Sequence, residues 1–160
     1  MPLKGIPSAI SPELLYALAS MGHGDEIVLA DSNFPSESVA RANGARLIQC
    51  DGLPIPKLLR QILKLFPLDQ YVVHPVALMD LVENDKKKGL EVPIWNEYKQ
   101  ILGSDVNLEL VERFQFYERA KKCFAVVRKF VDFIDQENRY ESLYYHERVL
   151  VLLKAMSNDW

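Results

Sequence analysis

The sequence predicts an α/β fold, a single layered domain with a central sheet flanked by helices, and three observations carry that expectation. Short apolar runs, IVLA at 27–30 and FAVV at 124–127, read as strands covered on both faces. Amphipathic stretches with recognisable caps lie between such runs. A chain of 160 residues that is 49% hydrophobic suits one domain with a substantial core. Strands separated by helices place ligands at the strand ends, where short loops gather.

The first helix starts at Ser11-Pro12-Glu13, which combines a hydroxyl N-cap, a proline in the first turn and an acid facing the helix dipole. Leu14, Leu15, Leu18 and Met21 recur at helical spacing, and Gly22 supplies the stop. The strand at 27–30 closes on Asp31, and a second at 46–50 closes on Asp51-Gly52. Between them NFPSES, 33–38, is rich in turn formers and reads as a loop able to line a pocket. The next helix puts Leu58, Leu59, Ile62, Leu63 and Phe66 on one face, opposes them with Lys57, Arg60 and Lys64, and ends at Pro67. Tyr71-Val72-Val73 reads as a short strand, and Pro93-Ile94-Trp95 opens a helix that Gly103 stops. From Leu108 the pattern is strand, short helix over 116–122, and the FAVV strand.

Charge and cysteine usage exclude several classes. With 19 Lys and Arg against 22 Asp and Glu, the formal charge is -3, so the basic footprint of a nucleic-acid binder is missing. The one basic run, Lys86-Lys87-Lys88, reads as a solvated loop. No apolar run approaches the roughly 20 residues of a membrane span. The N-terminus has no signal core, and a cytoplasmic protein is expected. Cys50 and Cys123 belong to no Cys-x-x-Cys or Cys/His pattern and read as reduced, buried thiols, with no metal site expected. His74 and His146 read as surface or structural histidines.

The chemistry is expected at Met21-Gly22-His23-Gly24-Asp25-Glu26. Glycine on both sides frees the backbone and removes bulk, so a small polar ligand can approach the imidazole. A plain Gly-His-Gly turn is the competing reading. A metal-dependent hydrolase using His23, Asp25 and Asp31 is a second competitor, weakened because no further ligand-rich segment accompanies that turn.

The chain resembles the ribose pyranase and fucose mutarotase family, in particular its fucose mutarotase branch. LKGIP, SPELLYALASMGHGDEIVLAD, the NFP loop, DGLPIPKLL, LFPLDQY and RFQFYERAKKCFAVV carry the resemblance. It covers about residues 3–127, giving a family-like domain at 1–127 and a divergent segment at 128–160. It implies a cofactor-free isomerase that interconverts the anomers of L-fucose, with pyranase activity on related sugars as an extension. Opening a hemiacetal needs one proton delivered to the ring oxygen and another removed from the anomeric hydroxyl. His23, Asp69 and Tyr117 match the family's catalytic positions. Asp31, Asp69, Met79 and Tyr117 match sugar-contacting ones. Each has an ordinary alternative: a core aromatic for Tyr117, turn acids for Asp69 and Asp31, a core methionine for Met79. The family also implies a homo-oligomer, a dimer or larger ring, with Phe34, Trp95 and Phe116 as candidates for burial between chains.

The tail departs from the pattern. Family members pass from the FAVV strand through Thr-Gly-Glu to a Tyr-Gly-Asn strand, whereas RKFVDFIDQENRYESLYYHERVLVLLKAMSNDW follows Val127 here. A helix is expected after Val127, and 148–156 as a terminal strand with 149–153 buried; Tyr144 or Tyr145 is a partial substitute for the missing tyrosine. The altered tail leaves a catalytically weak or inactive sugar-binding or assembly homologue as the alternative function.

Overall fold

A computed structural model describes residues 3–50, 52–129 and 151–156. Its first helix, α1 (Pro12–Ser20), forms as its cap dictates: the Leu14 N–H donates to the Ser11 hydroxyl at 3.1 Å, and Leu14, Ala17 and Leu18 are buried. After it come β1 (Glu26–Ala30), α2 (Ser36–Asn43), β2 (Arg46–Gln49), α3 (Ile55–Ile62), β3 (Val76–Met79), α4 (Glu83–Lys87), α5 (Ile94–Leu102), β4 (Leu108–Val111), α6 (Arg113–Ala120), β5 (Ala125–Arg128) and β6 (Val151–Lys154).

The strands form one sheet in the order β2-β5-β1-β6-β3-β4. β1 and β2 each pair parallel with β5, and β3 pairs parallel with β4. β6 runs antiparallel to both neighbours, with Glu26 opposite Lys154 and Leu29 opposite Val151. The last described strand thus sits at the centre of the sheet, and its buried Leu153 faces the core. Five strands share one C-terminal end, and the C-terminus of β6 lies at the other. Side chains alternate between faces. Ile27, Leu29, Ile48 and Leu78 meet α1, α3 and α5 on one face, while Val28, Ala30, Ala77 and Val126 meet α2 and α6 on the other.

Several expectations need correction. Tyr71–Val73 is no strand: the Tyr71 N–H bonds the Asp69 side chain at 2.9 Å, a turn that leaves Tyr71 and Val73 exposed, and the strand begins only after Pro75. The expected loop at 33–38 already contains the start of α2, which has no side-chain cap to announce it and ends on Gly44 in the left-handed conformation. α3 stops at Ile62 rather than Pro67; the chain tightens there, with both Leu65 and Phe66 donating to the Ile62 carbonyl. Lys86 and Lys87 belong to α4, where Lys86 pairs with Asp80 and Glu83. Phe34 and Phe116 are buried inside the chain's own core and are unavailable to a neighbour, while Trp95 packs half-buried on the other core. Cys50 and Cys123 are buried and unbridged. The expected helix after Val127, together with Asp51, Tyr144, Tyr145 and His146, lies outside the described residues. No described helix is long and apolar enough to cross a membrane.

Candidate active site

The candidate residues divide between the two ends of the sheet. His23 precedes β1 and Asp31 follows it, so five extended residues, about 16 Å of strand, separate them. The structure does not bring them together within one chain. That separation also removes the hydrolase reading, which needs His23, Asp25 and Asp31 on one ion. Among the described residues no group of three or more His, Cys, Asp and Glu converges.

At the N-terminal end of β1, backbone bonds to β6 do the positioning. The Gly24 N–H donates to the Ala155 carbonyl at 3.4 Å, and the Ala155 N–H to the Asp25 carbonyl at 2.9 Å. Within the turn the Gly22 N–H donates to the Asp25 carboxylate at 2.7 Å. Gly24 has a φ of 82°, a conformation other residues adopt only with strain, so the second glycine of the motif is required by the turn. His23 sits exposed at its tip. On the other flank of β6, the Asp69 N–H donates to the Lys154 carbonyl at 3.1 Å. His23 and Asp69 therefore flank one strand end, each about 4.8 Å of backbone from it. Asp69 is 1% exposed; its Oδ1 accepts from Tyr71, while its buried Oδ2 has no partner among the described residues. A buried carboxylate oxygen without a donor is costly, and a ligand hydroxyl would satisfy it.

At the C-terminal end of β1, side chains position one another. Asp31 is buried, and its Oδ1 accepts from the Asn33 and Phe34 N–H groups, both at 2.9 Å. That turn drives the Phe34 ring against Tyr117, with centroids 5.4 Å apart. Tyr117 lies in α6, whose first turn is capped by Glu112 accepting from Phe114 and Gln115. Met79, the last residue of β3, packs on the same apolar cluster as Tyr117. Sequence reasoning missed Arg113, whose Nε donates to the Tyr117 hydroxyl at 3.2 Å. Its spacing of four from Tyr117 was the available signal. Apolar side chains stand exposed beside both groups of candidate residues: Tyr71 and Val73 after Asp69, Leu110 and Phe114 before Tyr117.

Residues 4–129 match the model of the RbsD / FucU transport protein family. The chain is 59% identical over 128 residues to the fucose mutarotase of Homo sapiens, covering 78% of this chain and 82% of that protein. It is 62% identical over 128 residues to the fucose mutarotase of Danio rerio, with the same coverage. Its fold is similar to the crystal structure of a fucose mutarotase in complex with L-fucose from Streptococcus pneumoniae, with a TM-score of 0.76 and 38% identity, covering 96% of this chain and 98% of that one.

Proposed function

We infer from the family to which this chain belongs, the RbsD / FucU transport protein family, that it is an isomerase interconverting the α and β anomers of L-fucose. The observation that carries this reading is the 59% and 62% identity over 128 residues to two proteins named fucose mutarotase. A base removes the proton of the anomeric hydroxyl, the bond from C1 to the ring oxygen breaks, and an acid protonates that oxygen. The aldehyde then rotates and recloses by the reverse steps. We assign the ring-oxygen proton to His23 and the anomeric proton to Tyr117, with the unpartnered Asp69 oxygen receiving a sugar hydroxyl. Asp31 holds further hydroxyls, and Met79 gives an apolar contact for the 6-methyl group. Arg113, bonded to the Tyr117 oxygen, stabilises the negative charge that this oxygen must carry to accept the proton. The open aldehyde can also close as a furanose, so pyranase activity follows from the same steps.

The split of the candidates supports a site completed between two copies, His23 and Asp69 from one and Asp31, Met79 and Tyr117 from the other. Tyr71, Val73, Leu110 and Phe114 are the exposed apolar side chains that such a contact would cover. They replace Phe34 and Phe116 in that role. The unbridged Cys50 and Cys123 suit a reducing compartment, and we place the activity in the cytosol. The test is saturation-transfer NMR of L-fucose with the purified chain, joined to light scattering. Enzyme-dependent anomer exchange by an oligomer is expected. A folded protein without exchange supports the sugar-binding alternative, and a monomer of 18.4 kDa at all concentrations refutes the shared site.

A further inference from the structure

Arg119 is absorbed by no role above, yet it makes the densest set of side-chain bonds among the described residues. Its Nε lies 3.0 Å from both Glu26 carboxylate oxygens, its Nη2 2.6 Å from Glu26 Oε1, and its Nη1 3.0 Å from Glu109 Oε2. Glu26 opens β1 and Glu109 lies in β4, with β6 and β3 between those strands in the sheet. One guanidinium on α6 thus reaches carboxylates on strands three positions apart. Partly exposed ion pairs contribute little to stability, so stability alone is a weak reason for this arrangement. Its geometric consequence is larger. Glu26 is three residues from His23, and Arg119 is two residues from Tyr117. The clamp ties the strand leading from one half-site to the helix carrying the other, while Glu112 caps that helix at its opposite end.

The geometry points to Arg119 as a positioning residue for the sugar exchange: its forked contact with Glu26 and Glu109 sets where Tyr117 stands relative to the His23 turn, and so whether half-sites of adjoining copies meet in register. This rests on the anomer-exchange reading. Only a planar fork can hold both carboxylates in these directions; a lysine keeps the charge and loses the second anchor. A misplacement on the order of 1 Å in an acid-base pair can cost about 100-fold in rate.

The test measures kcat and KM for L-fucose by saturation-transfer NMR, with thermal unfolding, for the wild type, Arg119→Lys and Glu109→Gln. Arg119→Lys is expected to lower kcat by about 10- to 100-fold with KM nearly unchanged and the melting transition retained. Glu109→Gln, which removes one anchor at a half-exposed side chain, is expected to give a smaller loss of the same kind. A purely structural role would move activity only with the folded fraction. Wild-type kcat in folded Arg119→Lys overturns the inference, and if that variant does not fold, wild-type kcat in Glu109→Gln does so. Absence of exchange in the wild type overturns the sugar-exchange reading and this inference together; exchange at the wild-type rate in folded Arg119→Lys overturns the inference alone.

Discussion

The two ends of β1 hold their candidate residues by different means. At the His23 end the main chain does the holding: Gly24 and Asp25 bond Ala155, Asp69 bonds Lys154, and the His23 side chain is left exposed. At the Asp31 end side chains hold one another: Asp31 caps its own turn, Phe34 braces Tyr117, and Arg113 bonds the phenolic oxygen. Chemistry and folding should therefore be separable at the first end and entangled at the second. Substitutions can break that contrast.

The largest expected effect is on rate. If His23 is the proposed acid, His23→Ala should lower anomer exchange by about two to four orders of magnitude, while its thermal transition stays close to that of the wild type. Tyr117→Phe should lose a similar amount. The two variants then test the shared site directly. Mixed after dissociation and reassociation, they should recover about a quarter of wild-type exchange, since random pairing gives that share of sites both intact halves. A mixture no more active than its parents would mean that both residues serve the same copy.

Next in size is Phe34→Ala. Phe34 is 5% exposed and contacts both Phe116 and Tyr117 edge-on, so the substitution should cost about 3–5 kcal/mol of stability together with activity. Urea unfolding checks the first and NMR exchange the second. Full activity in a destabilised Phe34→Ala would show that Tyr117 needs no such brace, and the contrast between the ends would fail.

Much of this was legible in the residues. Ser11-Pro12-Glu13 carries its cap in its side chains, Gly103 its stop, and the IVLA run its burial on both faces. α2 was not, because a backbone-started helix after Pro35 has no side-chain signature. Tyr71–Val73 has strand-like side chains, but the Asp69 turn spends its backbone bonds elsewhere, a competition that local composition does not record. The site residues were reached through family resemblance. Their division between two ends was implicit in the spacing of His23 and Asp31, since a strand between two residues keeps them apart. Phe34 and Phe116 were misassigned for a related reason: an apolar ring suits a core and a subunit contact equally, and only the packing of α6 on the sheet decides.

The smallest effect is expected in alkali, and each end has its own buried acid. Cys123, 3% exposed, is raised from an ordinary thiol value of 9.0 to about 12, chiefly by burial and secondarily by Glu26 at the start of β1. Tyr98, fully buried, is raised by burial first, with contributions from Glu97 and from Asp31 at the far end. Both raised groups stay neutral in the fold after the unfolded chain has ionised. The native state then holds more protons, so stability must fall as pH rises, from about pH 9 for the thiol and about pH 10 for the phenol. Each group should contribute a slope of about 1.4 kcal/mol per pH unit within its window. Urea unfolding from about pH 8 to about pH 11 should show the first decline flattened in Cys123→Ala and the later one in Tyr98→Phe. Amide exchange at Gly24 and at Phe34 would then report which end loosens first. Cys123 lies against the Glu26 strand, so the His23 end should yield before the Asp31 end; simultaneous opening would mean that β1 transmits the loss of either anchor along its whole length.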